Sequence, residues 1–195
     1  MDGKTGASKK RLKAKVKNFL WEIYGYRLRR SMAVCEGTSF LFVCLGNICR
    51  SPFAEHLARE VTLHNGLTGL RFASAGLKVS KPASSPENAR LAAKHFGVRL
   101  DDHRSRRIEP ETLGSYDRIV AMEARHVTEL KRNFPQFAEK VILLALLDPE
   151  HAKWGQGFLR YNIPDPYGKD RDAFLECYLR VERCVLNLFE HLRAP

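Results

Sequence analysis

The sequence predicts a three-layer α/β protein: a four-stranded parallel sheet flanked by helices and preceded by a basic arm. Three observations predict it. Four short apolar runs alternate with amphipathic stretches of helical length. The links are short, so successive strands are joined through the helices between them, which makes the sheet parallel. The first run, Phe40–Val43, is apolar throughout, as in a strand covered on both faces.

Residues 9–24 place Leu12, Val16, Phe19, Leu20 and Ile23 on one helical face, opposite Lys10, Lys13 and Lys17. The polar stretch Gly37-Thr38-Ser39 ends this arm, so residues 1–37 are read as a basic extension, helical or disordered, and 38–195 as the folded domain. After the Phe40–Val43 strand and a turn, Ser51 as N-cap and Pro52 at the first helical position open a helix to about Asn65. Leu70–Ala75 reads as the second strand, and Pro86 to Gly97 as a helix closed by Gly97. Tyr116–Met122 is the third strand, followed by a helix to about Asn133 that stops before Pro135. Val141–Ala145 is the fourth strand, and Asp170–Leu192 is a long last helix.

The 195 residues suit one domain with an appended segment, and 44% hydrophobic content is enough for a core. No run approaches the roughly 20 apolar residues that span a bilayer. The basic N-terminus lacks the apolar stretch and small-residue cleavage site of a secretory signal. Five cysteines are an odd, sparse set that does not suggest a disulfide framework, which implies a reducing, cytoplasmic compartment. Residues 1–33 carry ten Lys and Arg against two Asp and Glu, so +8 of the net +11 belongs to the arm and +3 to the rest.

The chemistry is concentrated in Cys44-Leu45-Gly46-Asn47-Ile48-Cys49-Arg50-Ser51-Pro52, between a buried strand and a helix start. Free backbone N–H groups and the positive end of the helix dipole point into such a turn, which favours phosphate. Gly46 lets backbone approach a ligand, and Asn47 tolerates a left-handed conformation. Cys44 faces the same positive field. The thiolate is the nucleophilic form of cysteine, and helix N-termini and nearby cations favour it. Arg50 supplies a planar, bidentate donor pair for two phosphoryl oxygens. Ser51 is placed to hydrogen-bond the sulfur and ease its departure. Nucleophile, anion cradle and guanidinium together point to phosphoryl transfer through a covalent cysteinyl phosphate.

Cleavage of a phosphoester also needs a proton for the leaving oxygen. In Asn162-Ile-Pro-Asp165-Pro-Tyr167-Gly168, Asp165 lies between two prolines that hold it extended, a stiff mount for a general acid and then a base for water.

VCLGNICRSPFAEHL and IPDPY resemble the low-molecular-weight protein tyrosine phosphatases, and the resemblance runs from about Phe40 to Leu192. Ser74-Ala-Gly and Met122-Glu agree with it as well. The resemblance implies the phosphotyrosine protein phosphatase I-like fold, hydrolysis without metal or other cofactor, and the roles given above for Cys44, Arg50 and Asp165. It also implies that Asn47, Ser51, Ser74 and His103 hold the phosphate loop. Many members carry an aromatic residue after Ser-Ala-Gly, where this chain has Leu77, and a second tyrosine where it has Gly168. Both features resemble the bacterial subgroup that acts on tyrosine kinases of capsule and exopolysaccharide export. Leu77 and Tyr167 are then the expected rim of the substrate cleft, and phosphotyrosine proteins, an autophosphorylating kinase among them, the expected partners.

Cys49 lies five residues after Cys44, and the resemblance implies a reversible disulfide between them; a small residue packed against the sheet is the other reading. Cys177 and Cys184 are seven apart, on one face of the last helix. Core packing accounts for them better than the disulfide relay of an arsenate reductase on the same fold. A non-enzymatic phosphotyrosine-binding adaptor is a further alternative, opposed by the intact Cys44, Arg50 and Asp165. For residues 9–24, contact with anionic lipid, charge-driven attraction to nucleic acid without a readout motif, and a solvated arm with Met32 as the working start all stay open.

Overall fold

The computed structural model describes residues 15, 16, 18, 20, 37–151 and 157–193. Its sheet has four parallel strands, β1 (Ser39–Cys44), β2 (Arg71–Gly76), β3 (Arg118–Ala121) and β4 (Val141–Leu143), in the order β2-β1-β3-β4. Among residues 37–193, the described α-helices are α1 (Arg50–His64), α2 (Glu87–His95), α3 (Pro110–Gly114), α4 (Ala124–Asn133) and α5 (Arg171–Arg193). The predicted three-layer α/β architecture is thus the one observed.

Register explains where the chemistry falls. β1 lies between β2 and β3, with Cys44 level with Gly76 and Val43 level with Ala121. Phe40, Leu41, Phe42 and Val43 are fully buried, as the unbroken apolar run required. α5 packs on α1 and α2, and α4 lies against β3 and β4. The α1–α5 contact centres on Phe53 and Tyr178, whose rings stack 3.9 Å apart and 4° from parallel. Both are completely buried, and each contributes roughly 2–3 kcal/mol by leaving water. The Tyr178 hydroxyl also donates to the Cys49 carbonyl at 3.3 Å, so the core stack reaches the end of the turn after β1.

A second tie runs from α5 to the chain before it. Arg180, buried among apolar residues, donates Nε to Asp148 Oδ2 at 2.9 Å. Its two Nη groups bond the carbonyls of Asn162 at 2.6 Å and Arg160 at 2.7 Å. A charge this deep survives only because its donors meet acceptors.

Several expected boundaries move. The helix after the turn begins at Arg50, not at Pro52, and its N-cap is Cys49 instead of Ser51. Ser51 is inside the first turn because its hydroxyl is turned toward Cys44 instead of capping backbone. β3 is shorter than Tyr116–Met122. β4 stops at Leu143 because Leu144–Leu147 winds into a buried 3-10 turn, which an apolar run cannot distinguish from strand. α2 ends at His95, and Gly97, at φ 70°, reverses the chain one residue past the C-cap Phe96. The short α3 and the 3-10 helices Pro135–Lys140 and Gly157–Tyr161 were not anticipated.

Of the arm, Lys15, Val16, Asn18 and Leu20 are described, and all are helical. Asn18 accepts a hydrogen bond from the Phe158 amide at 3.0 Å. Leu12, Phe19, Trp21, Ile23 and Met32 lie outside the described residues. Among the described residues, no helix is long and apolar enough to cross a membrane.

Candidate active site

β1 delivers Cys44 to the C-terminal end of a central strand, and the chain then turns through Leu45–Cys49 before entering α1. Asn47 makes the turn possible: its φ is 52°, a left-handed conformation found in no other described non-glycine residue. Its side chain is completely buried and fully used. Nδ2 donates to Ser51 Oγ at 2.9 Å and Ser74 Oγ at 2.8 Å, and Oδ1 accepts the Arg106 amide at 2.9 Å.

The sulfur of Cys44 is the focus of this framework. The Asn47 amide reaches Sγ at 3.2 Å and the Ser51 hydroxyl at 3.1 Å. Two donors aimed at one sulfur are the surroundings an anionic sulfur requires. Leu45, Gly46 and Ile48 are half-buried on the turn, with Cys49 buried behind them. β2 braces the turn from below. The amides of Leu77 and Lys78 bond the carbonyls of Cys44 at 3.0 Å and Leu45 at 2.8 Å. Gly76 allows the close approach: a Cβ there would meet the Asn47 amide nitrogen and the Gly46 carbonyl carbon at 3.0 Å.

Support continues outward. Ser74 donates to Glu55 Oε2 at 2.6 Å, and Arg106 Nε donates to the Ser74 carbonyl at 2.6 Å. His103 Nε2 lies 2.7 Å from the Asn47 carbonyl; a carbonyl only accepts, so this nitrogen carries the proton. Burial depresses the His103 pKa against the raising effect of that bond, which favours the neutral ring.

Arg50 is 1% exposed. Nη1 donates to Glu123 Oε1 at 2.6 Å and to the Ile163 carbonyl at 3.0 Å, while Nη2 meets Asp165 Oδ2 at 2.5 Å. Nε is buried and has no hydrogen-bond partner among the described residues. Burial works against the Arg50 charge, but Cys44, Asp165 and Glu123 outweigh it and hold its pKa above the ordinary guanidinium value. Burial likewise opposes ionisation of Glu123, but hydrogen bonds from Arg125 and Arg50 overcome it and keep the carboxyl below its usual range. Both hydrogens of Nη1 are committed and one of Nη2 is paired with Asp165, so the donors left for a bidentate contact are Nε and the second hydrogen of Nη2.

Asp165 is half-buried, and its Oδ1 accepts the Tyr167 amide at 3.3 Å. Tyr167 is 63% exposed on the rim. Leu77, also expected on the rim, instead joins the core at 8% exposure, because its amide is tied to the Cys44 carbonyl and its side chain turns inward. Cys49 is buried, and burial followed by the Cys44 charge pushes its thiol well up. Cys177 and Cys184 are buried in the core cluster, with burial driving the Cys177 thiol up to about 12. No disulfide joins these four cysteines. Their burial fits packing and not an exposed relay.

The structure thus joins Cys44, Asn47, Ser51, Ser74 and His103 through hydrogen bonds, and ties Arg50 to Asp165 in a second set alongside. Sequence reasoning assigned no role to Glu123, Glu55 or Arg106. Met122-Glu and the Pro-x-Ala-Glu helix start were visible signals, but nothing in one sequence pairs Glu123 with an arginine 73 residues away.

A turn that aims donors at a cysteine sulfur, between the end of a central parallel strand and a helix that opens on a buried arginine, defines a class, the cysteine-dependent phosphatases. Comparison with known proteins narrows the class. Residues 39–195 match the family model of the low molecular weight phosphotyrosine protein phosphatases. The chain is 38% identical over 154 residues to the low molecular weight protein-tyrosine-phosphatase Etp of Escherichia coli, spanning 78% of this chain and 93% of that protein. The crystal structure of the Erwinia amylovora tyrosine phosphatase AmsI superimposes with a TM-score of 0.69 at 31% identity, over 82% of this chain and 95% of that one. A cysteine-to-serine variant of the YwlE arginine phosphatase, with a phosphorylated active-site serine, superimposes with a TM-score of 0.69 at 26% identity, over 80% and 95%. The chain belongs to the low molecular weight phosphotyrosine protein phosphatase family, and is an enzyme of that class.

Proposed function

We propose that this enzyme hydrolyses phosphotyrosine in proteins through a phosphate ester of Cys44. The Cys44 sulfur forms a bond to phosphorus as the bond from phosphorus to the phenolic oxygen breaks. Asp165, displaced from Arg50 Nη2 by the entering phosphoryl group and protonated, gives its proton to that oxygen, and tyrosine leaves neutral. Nε and Nη2 of Arg50, with the turn's backbone amides, hold the equatorial oxygens where charge concentrates. Water then attacks the cysteinyl phosphate, Asp165 takes its proton, and inorganic phosphate departs as the sulfur regains its electron pair. Ser51 and the Asn47 amide receive that returning charge.

The observation that carries this reading is the pairing of a sulfur facing two donors with a buried Arg50 Nε that lacks a partner of its own. A buried donor left unpaired costs about 1–3 kcal/mol, which a bound phosphoryl oxygen would recover. The trapped phosphoserine of the YwlE variant supports a covalent step at the equivalent position of that enzyme. Tyrosine is favoured over arginine as the phosphorylated residue because the tyrosine phosphatases Etp and AmsI are the more similar in sequence. An autophosphorylating tyrosine kinase suits an exposed rim carrying Tyr167, and the basic segment 9–24 would bring the enzyme to an anionic membrane surface beside it.

The deciding experiment is turnover of para-nitrophenyl phosphate and of a tyrosine-phosphorylated kinase tail. Both activities should be inhibited by vanadate and abolished in Cys44→Ser, and a Cys44→Ser protein that retains turnover would dismiss the mechanism. Vesicle co-sedimentation with and without residues 1–31 tests the membrane component; salt-insensitive or equal binding would remove it.

A further inference from the structure

We propose that Glu55, His56 and His103 form a binding site for a transition-metal dication such as Zn²⁺, set behind the phosphate loop and separate from the reacting atoms. One ligand atom from each of the three lies within 4.8 Å of the others. Two imidazoles and a carboxylate are a recurrent three-ligand set for zinc, whose bonds to nitrogen and oxygen run about 2.0–2.2 Å. Ligand atoms around one such ion lie about 3–4 Å apart, so the cluster needs only small side-chain adjustment.

The surroundings supply what a metal-binding histidine needs. His103 donates Nε2–H to the Asn47 carbonyl at 2.7 Å, which fixes the tautomer and leaves the Nδ1 lone pair for a ligand. A ligating histidine whose other ring nitrogen is held by a backbone carbonyl is the common arrangement around protein-bound metals. His56 follows Glu55 on α1 and is half-buried, and its ring meets that of His103 edge-on with centroids 6.1 Å apart.

Glu55 has partners already: Ser74 Oγ on Oε2 at 2.6 Å and Arg59 Nη2 on Oε1 at 2.7 Å. Each carboxylate oxygen has a second lone pair, and Arg59, half exposed, can swing into solvent. An ion held here touches both supports of Asn47, the Ser74–Glu55 bond and the His103–carbonyl bond.

Cys44 is replaced first, because a cysteine thiolate is itself a zinc ligand. Full-length Cys44→Ser protein is titrated with Zn²⁺ against a chromophoric chelator, and with Co²⁺ while its visible ligand-field bands are followed. One equivalent should bind, the cobalt spectrum should be that of nitrogen and oxygen ligands, and zinc should raise the melting temperature. Adding His56→Ala, a change on a half-buried helix position, should weaken zinc at least tenfold and remove the thermal shift. Adding His103→Gln, which can keep a hydrogen bond to the Asn47 carbonyl, should do the same. No stoichiometric binding, or binding unchanged by His56→Ala, overturns the proposal. Cobalt bands with thiolate charge-transfer intensity also overturn it, since they put the ion on a cysteine.

Discussion

Replacing Asn47 by alanine should be among the most damaging single changes outside the reacting groups, and its cost can be worked out from the structure. The side chain makes three buried or half-buried hydrogen bonds, to Ser51, Ser74 and the Arg106 amide. Each contributes about 1 kcal/mol net. Ser51 and Ser74 keep their donor bonds to Cys44 and Glu55, so no large desolvation penalty is added. Alanine at φ 52° adds about 1 kcal/mol of backbone strain. The sum is about 4 kcal/mol, a large share of the 5–15 kcal/mol typical of a domain. Asn47→Gly loses the same bonds but escapes the strain, and should be about 1 kcal/mol less destabilised. Urea unfolding of the three proteins measures both differences. Turnover of para-nitrophenyl phosphate should fall at least tenfold in both variants, because the amide aimed at Cys44 is no longer held. A loss below about 1 kcal/mol in Asn47→Ala, or a glycine variant weaker than the alanine one, would refute the reasoning.

Other expectations follow from neighbouring contacts. Glu123→Gln keeps an acceptor for Arg50 but removes its charge; kcat/KM should drop about tenfold, close to 1.4 kcal/mol, in steady-state assays with aryl phosphate. Gly76→Ala drives a Cβ to within 2.6 Å of Val79 Cγ2 and 3.0 Å of two backbone atoms of the turn, so kcat should fall, and adding Val79→Ala should restore only part of it. His126 is fully buried and its pKa is lowered to about 4, chiefly by burial. The unfolded chain therefore binds its proton near pH 6.5 and the folded chain only near 4, so stability is full above 6.5 and is lost as pH falls toward 4. At about 1.4 kcal/mol per pH unit the loss approaches 3 kcal/mol, and His126→Leu should flatten that part of a stability-versus-pH profile measured by urea unfolding.

Much of this site was legible in the sequence because its pieces are local. Phe40–Val43 reads as buried strand, Asn47 as the residue able to turn left-handed, and Asp165 as a carboxylate stiffened by prolines, each from its immediate neighbours. Glu123 and Arg106 were not legible, because their importance lies in contacts made across the sheet. The inward turn of Leu77 was hidden for a related reason: a rim position and a core position differ only in how β2 meets the turn. Ser51 shows the opposite failure. A local rule for helix starts made it a cap, and the sulfur of Cys44 outcompeted the backbone for its hydroxyl.

The grip of Arg180 on the carbonyls of Arg160 and Asn162 has a consequence for how the enzyme works. Were residues 160–162 to swing away, they would have to abandon that guanidinium in the protein interior beside Asp148, with two of its donors stranded. The root of the loop that carries Asp165 is therefore moored to the longest helix, and any travel of that carboxyl is left to the few residues beyond Asn162.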